Sequence, residues 1–564
     1  QKKSDKLIAY FSMEIGLDSR IPSYSGGLGV MAGDTIKAFA DLKVPAIGIT
    51  LLNEKGYFYQ KLDEQGNQKE LPVEWNKENF MTLLPLKIGI EIEGRPVKVQ
   101  AWEYLVRSES GFDVPVFFLD TNIPGNSDYD RSLTSWLYGG DEKYRLCQEI
   151  ILGIAGVRMI RALGYKEIKK YHMNEGHSSL LVVELLNDVA AENPKIKNEE
   201  ELISLVRRQC VFTTHTPVPA GHDKFPLELV RQVYPNFPPE IKEHCISEDK
   251  LNMTLLALNF SHYVNGVAKK HSEVSQDMFP GYPIDSITNG VHSATWTSNE
   301  FKSLFDRHIP GWKQDSFTLR YALSIPKEEI WNAHEAAKKK LVDQVNERYN
   351  AGFDYGAFTI GFARRATSYK RAELFFKDTK KLLDIHNKVG RMQVIYGGKA
   401  HPNDAGGKEI IKRIFSIKEE LRGRLNIVYL ENYDMELAKL LISGVDLWLN
   451  TPLAPREASG TSGMKAMHNG VPNLSVLDGW WIEGHIENIT GWSIGGSSAT
   501  MTENQDDAKD AAELYEKLRK IILPMYYTDR KSWTTIMRFC IAINASFFNT
   551  HRMVQQYVMN AYFS

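Results

Sequence analysis

Two segments carry residue types spaced for work on a phosphate group. Arg364-Arg365-Ala366-Thr367-Ser368-Tyr369-Lys370-Arg371 gathers four cations in eight residues, directly after the apolar run Phe358–Ala363. A basic run is usually a solvated face. At the carboxyl end of a parallel strand it is instead placed to hold an anion, with arginine offering paired hydrogen bonds. The second segment is Pro455-Arg456-Glu457-Ala458-Ser459-Gly460-Thr461-Ser462-Gly463-Met464-Lys465. Hydroxyls and glycines at a helix start collect N–H donors, an anion nest. Lys465 falls just inside that helix among small and apolar neighbours. Such a lysine is either a snorkelling surface residue or a desolvated amine suited to a Schiff base.

A third segment, Tyr24-Ser25-Gly26-Gly27-Leu28-Gly29, lets backbone approach a phosphate or sugar hydroxyl, or is a tight turn with nothing bound. Polar clusters close other strands: His172-Met173-Asn174-Glu175-Gly176-His177, Thr214-His215-Thr216-Pro217 and Thr288-Asn289-Gly290. His172 and His177 lack HExxH spacing and have no cysteine nearby, so hydrogen bonding to a sugar is the expectation and metal binding is not.

The elements that must position these residues follow from pattern. At about 150 residues per domain, 564 residues allow three to four units. With 43 % hydrophobic and 24 % charged residues the chain is neither disordered nor fibrous. Lys plus Arg is 68 and Asp plus Glu 70, a net charge of −2 that argues against a nucleic-acid binder. Four cysteines form no CxxC pair, which points to a reducing, cytoplasmic setting. The longest apolar runs, such as Val44–Leu52, fall short of the roughly 18 residues that span a bilayer.

Strands at Leu7–Phe11, Val44–Leu51 and Val114–Leu119, a hairpin turned by Glu93-Gly94-Arg95-Pro96, and helices at Val30–Leu42 and Glu142–Leu163 are predicted for the first half. The second half alternates strictly. Strands at Phe358–Ala363, Met392–Tyr396, Leu425–Leu430, Val445–Leu449 and Asn473–Leu477 are separated by helices at Glu373–His386, Gly407–Lys418, Met435–Ser443 and Gly463–His468. Lys327–Tyr349 is a helix between the halves. This is an α/β chain of two doubly wound lobes, with ligands expected at strand carboxyl ends in a cleft.

The constellation resembles the α-glucan phosphorylases, the glycogen, starch and maltodextrin enzymes that use pyridoxal phosphate. The resemblance is carried, in order, by Gly26-Gly27-Leu28-Gly29, Val264–Glu273, Thr288-Asn289-Gly290, Tyr369-Lys370-Arg371, Gly397-Gly398-Lys399-Ala400, Leu430-Glu431-Asn432-Tyr433 and Glu457–Lys465. It implies a GT-B fold of two Rossmann-like lobes. Residues 1–296 would be the glucan-side lobe and 297–535 the lobe for cofactor and phosphate. Residues 536–564 would be a helical segment packing back on the first lobe. It implies pyridoxal 5′-phosphate as a Schiff base on Lys465. Arg364, Tyr433, Thr461 and Gly27 match groups that hold its phosphate, and Trp296 an aromatic near its ring. Lys370, Arg365 and His215 match catalytic positions. Gly26, Leu28, Asn289, Glu457, Ser459, Gly460 and His177 match substrate-binding positions. The implied reaction is phosphorolysis of terminal α-1,4-glucosidic bonds, giving α-D-glucose 1-phosphate with retention. The family is commonly dimeric.

Departures are visible. Asp434 stands where animal-type enzymes carry Arg, which places an anion near the expected phosphate. Thr367 replaces a His, Arg364 a Lys, and Asn174-Glu175-Gly176-His177 stands for Asn-Asp-Thr-His. The regulatory N-terminal extension has no counterpart before the first strand, so a short form without that allosteric control is expected. The competing reading is a nucleotide-sugar-dependent glucosyltransferase of the glycogen or starch synthase kind, without pyridoxal phosphate.

Overall fold

A computed structural model describes residues 2–238, 241, 245–495 and 506–563. The chain divides into two compact units. The first comprises 1–58, 72–287 and 554–564, and the second 59–71 and 288–553. Each is mixed α/β and built on a large, mainly parallel sheet.

In the first unit nine strands form the sheet: β1 (Ile8–Ser12), β2 (Ala46–Leu51), β3 (Thr82–Ile92), β4 (Arg95–Arg107), β5 (Asp113–Asp120), β6 (Lys170–Asn174), β7 (Cys210–Thr213), β8 (Tyr263–Gly266) and β9 (Asp285–Ser286). Their order is β9-β8-β7-β6-β1-β2-β5-β4-β3. Only β3–β4 and β4–β5 pair antiparallel. The hairpin between β3 and β4 turns at Glu93 and Gly94, both at positive φ (52° and 73°), the backbone that matches the twist of paired strands. β1 and β2 are buried at every position, as a strand covered on both faces must be. Helix α1 (Gly27–Asp41) follows β1.

The second unit includes helices α2 (Asn299–His308) and α3 (Lys327–Tyr349), after a single turn at Ser293–Trp296. Its sheet holds β10 (Phe358–Ala363), β11 (Met392–Gly397), β12 (Asn426–Leu430), β13 (Leu447–Asn450), β14 (Asn473–Val476) and β15 (Gly491–Ile494), all parallel. Helices α4 (Met435–Gly444) and α5 (Ser462–Met467) follow β12 and β13. The order β12-β11-β10-β13-β14-β15 is the doubly wound arrangement, with its reversal between β10 and β13. A two-stranded hairpin, Tyr59–Leu62 with Gln68–Leu71, also belongs to this unit.

Two predicted helices differ in detail. The stretch 373–386 is a short 3-10 turn, Leu374–Phe376, then a helix from Thr379, because Asp378 accepts a capping hydrogen bond from Lys381 N. The 142–163 helix contains a π turn, Ile151–Ala155. Among the described residues no helix is long and apolar enough to cross a membrane.

Candidate active site

In the second unit the functional segments leave the sheet where strand order reverses. The basic loop follows β10, and the 451–461 loop follows β13. Adjacent parallel strands thus deliver both to one place. There Glu457 Oε2 lies 2.6 Å from Arg364 Nη2 and 2.7 Å from Lys370 Nζ. All three side chains are nearly buried. Burial alone would raise the Glu457 carboxyl, but Arg364 and Lys370 overcome it and hold the group at about 2. Beneath it, Asp478 Oδ2 accepts from Glu457 N (2.9 Å), and Oδ1 from Gly479 N (2.8 Å). Burial and the adjacent Glu457 charge push Asp478 up to about 7.

The fourth cation of the loop has a different task. Arg371 Nη1 meets Asp507 (2.9 Å) and Asp510 (2.8 Å), and its other nitrogens donate to Thr451 O and Pro452 O. It fastens the two loops together. Arg365 is exposed. The loop is fixed from the other side by the Gly397–Ala400 segment: Arg364 N donates to Gly397 O and Ala366 N to Lys399 O. Gly398, at φ 135°, is required there, since a Cβ would lie 1.8 Å from Arg364 O.

Lys465 sits one turn into α5 and is buried. Its Nζ lies 3.9 Å from the centroid of the Trp296 ring. Asn469 sets that contact. Its Nδ2 donates to Trp296 O (2.9 Å) and Lys465 O (3.1 Å), while its Oδ1 accepts from Ser298 N (2.8 Å). Thr461 O accepts from Lys465 N at the helix start. Tyr433 packs its ring against Gly397. Two buried hydroxyls in these loops, Thr367 Oγ1 and Ser459 Oγ, have no hydrogen-bond partner among the described residues. Gly460 separates Ser459 from Thr461 in a left-handed turn (φ 78°). Asn289 is buried, and its carbonyl accepts from Arg552 Nη2 (2.9 Å).

Asp434 acts electrostatically on Lys399 and also has a structural role. Its Oδ1 accepts from Leu437 N (2.9 Å) and caps α4. The substitution of an acid there has a helix-capping reason.

In the first unit the polar clusters also gather where strand order reverses, after β1, β6 and β7. Glu14 Oε2 accepts from Ser25 N (2.5 Å) and Gly26 N (3.4 Å), and Oε1 from Tyr138 Oη (2.9 Å), so a buried carboxylate shapes the glycine turn. Gly29 must be glycine, because a Cβ would meet Glu14 Oε2 at 2.6 Å. Cβ positions at Gly26 and Gly27 instead face open space within 4 Å, and Leu28 follows them at the start of α1. That openness leaves their backbone accessible to a ligand.

Glu175 is buried at φ 75°. Its Oε2 accepts from His215 N (2.7 Å) and Thr216 Oγ1 (2.8 Å), and its Oε1 from Gly176 N (2.9 Å). His215 Nε2 is 2.6 Å from Asn174 Oδ1. Burial lowers His215 to about 4, so it is a neutral hydrogen-bonding ring at neutral pH. His177 Nε2 is 3.2 Å from Arg145 Nη2, which also pairs with Asp223 (3.0 Å). Burial, then the Arg145 charge, lowers His177 as well.

The structure therefore brings Arg364, Lys370 and Glu457 together, and separately Lys465 and Trp296. Glu14 and Asp478 were missed by sequence reasoning, since a lone acid outside any motif carries no signal.

Parallel sheets with cations and a buried lysine at the strand-order reversal mark an α/β enzyme with a site suited to an anionic group. A family model described as carbohydrate phosphorylase matches residues 240–523. Maltodextrin phosphorylase of Thermococcus litoralis is 40 % identical, covering 99 % of this chain and 71 % of that one. Glycogen phosphorylases of Mycobacterium tuberculosis and Aquifex aeolicus are 35 % and 33 % identical, over 98 % and 99 % of this chain and 70 % and 86 % of theirs. The chain belongs to the carbohydrate phosphorylase family.

Proposed function

We propose that this chain is an α-glucan phosphorylase, in which orthophosphate cleaves the terminal α-1,4-glucosidic bond and α-D-glucose 1-phosphate leaves with retained configuration. The observation that carries the reading is the pair Arg364 and Lys370 on one carboxylate oxygen at the strand-order reversal. Together with Arg365 they supply positive charge for phosphate oxygens, which is preorganised stabilisation of a negatively charged reacting group. Glu457, Asn289, Ser459 and Gly460 are assigned to the glucosyl unit. In the first unit Gly26, Leu28, His177 and His215 are assigned to the glucan. Neutral His215 donates or accepts hydrogen bonds without adding charge to the oxocarbenium-like sugar. A glycosidase would need two acids flanking the bond; here phosphate and its cations take that work.

The residues present fit pyridoxal phosphate. Lys465 is a buried amine against an aromatic face. Thr461, Tyr433, Arg364 and Gly27 would hold the cofactor phosphate, with the unpartnered hydroxyls of Thr367 and Ser459 nearby in sequence. When bound, the cofactor supplies a phosphate that exchanges a proton with the substrate phosphate. The two doubly wound units are read as the lobes of a GT-B enzyme. Cytoplasmic residence fits four buried cysteines with free thiols.

The test has two parts. Borohydride reduction followed by peptide mapping is expected to leave pyridoxyl label on Lys465. Maltodextrin with orthophosphate is expected to release glucose 1-phosphate, and Lys465→Ala to abolish that release. Turnover supported only by a nucleotide sugar, with no label on a folded protein, overturns the reading.

A further inference from the structure

The second unit contains a cavity of about 600 Å³, within the roughly 300–1,000 Å³ usual for small-ligand pockets. Its walls come from α2, α3, α4, the Glu431–Asp434 turn after β12, and Tyr59 of the hairpin. None of its lining residues has been assigned to the reaction above.

The chemistry of the walls selects a ligand class. Four acids face four bases, so the lining has no net charge. The bases are largely satisfied within the protein: Lys340 pairs with Glu300, Lys439 with Glu436 (2.8 Å), and Arg348 reaches Glu431 (4.0 Å). A phosphate or nucleotide would find no surplus positive charge. An apolar ligand would desolvate these pairs, and among the lining side chains only Ala337, Leu437 and Leu440 are aliphatic. A neutral ligand rich in hydroxyls meets donors and acceptors on every wall. Tyr59, 36 % exposed, adds one flat aromatic face. That combination suits a saccharide.

The cavity shares backbone with the lysine site. Glu431, Asn432 and Asp434 line it, while Tyr433 between them packs on Gly397. Asn432 is fixed at φ 55° by reciprocal bonds with Gln60, each 3.0 Å. Thr295, Thr297 and Ser298 also line it, while Trp296 between them is buried under Lys465 Nζ. Asn469 ties that same strip, at Ser298 N and Trp296 O, to Lys465 O.

We propose that this cavity is a second saccharide site, sized for one or two glucosyl units, whose occupant grips the two strips that hold Trp296 and Tyr433. Only the choice of a glucosyl ligand rests on the phosphorylase reading.

The experiment uses the cofactor-loaded protein with maltose as probe, titrated calorimetrically, in the parent chain, Tyr59→Ala and Gln344→Trp. Tyr59→Ala removes the flat face, and Gln344→Trp fills the space from an exposed position on α3. Two classes of maltose site are expected in the parent. Either variant should weaken one class by about tenfold or more, as loss of a contact aromatic does, while initial-rate phosphorolysis of maltodextrin persists. Tryptophan fluorescence is expected to change as the second class fills in the parent alone. A single class of site in the parent overturns the proposal, as do two classes left intact in both variants, or adenosine displacing maltose from the cavity. If no phosphorolysis is found but one of two maltose classes is lost in the variants, the activity assignment fails and the cavity site stands.

Discussion

Glu457 and Asp478 are joined by one hydrogen bond, yet their carboxyls are driven apart, to about 2 and about 7. Cations face the first; burial and the first carboxylate face the second. Near neutral pH Asp478 is the group that changes charge beside Arg364 and Lys370. Its ionisation adds repulsion toward a bound phosphate. The KM for orthophosphate is therefore expected to rise as pH passes through about 7, and Asp478→Asn should remove that inflection in a pH series of initial rates. The sign for stability is also set. A carboxyl raised in the fold above its unfolded value of roughly 4 favours folding below that value. The contribution is lost as pH rises through about 7. Urea unfolding should show the parent losing ground to Asp478→Asn between those limits. Neither acid's state was legible beforehand. Glu457 lay in a recognisable motif but Asp478 did not, and the difference between them depends on burial and on which neighbours fold against each. Asp434 shows another limit: the sequence shows its charge but not that it also caps a helix.

At the scale of elements, the strand-to-loop junctions do most of the positioning. Phe358–Ala363 and Lys327–Tyr349 were legible to the residue, since a short β-rich run between polar segments and a long uninterrupted helical period admit few alternatives. Strand order was not legible, and it is order that brings the loops after β10 and β13 together. The two glycine motifs also look alike in sequence but differ in reason. Gly398→Ala must displace the Arg364 backbone, because its Cβ would sit 1.8 Å from that carbonyl. Both thermal stability and activity should fall, with kcat/KM down about a hundredfold from a misplaced cation. Gly27→Ala meets no atom within 4 Å. It should leave the melting temperature near that of the parent or slightly higher and lower activity alone. Parallel melting curves and initial rates separate a packing glycine from a ligand-facing one.

For the whole molecule, the notable fact is the route of the chain. It leaves the first unit after Phe58, returns at Pro72, leaves again after Ile287 and returns at Val554. Residues 554–563 bring Tyr557 and Tyr562 into the first unit's buried network. Tyr562 Oη lies 2.7 Å from His172 Nδ1, and Tyr557 Oη 3.1 Å from Thr213 Oγ1 and 3.0 Å from Asn265 Nδ2. Tyr562→Phe should cost about 1–3 kcal/mol, the range for leaving a buried partner unmade, measured by chemical denaturation. Deleting residues 554–563 should remove the cooperative transition of the first unit as well. The family resemblance implies a helical segment packing back on the first lobe; the particular partners of Tyr557 and Tyr562 were not legible, because no local pattern encodes a contact across 390 positions. The consequence reaches synthesis. Residues 554–563 are translated more than five hundred positions after Ile8–Ser12, so His172, Thr213 and Asn265 wait through that interval for their tyrosine partners. Until Tyr557 and Tyr562 emerge, that polar row of interior strands lies uncovered, and it is the place where a chaperone is most needed.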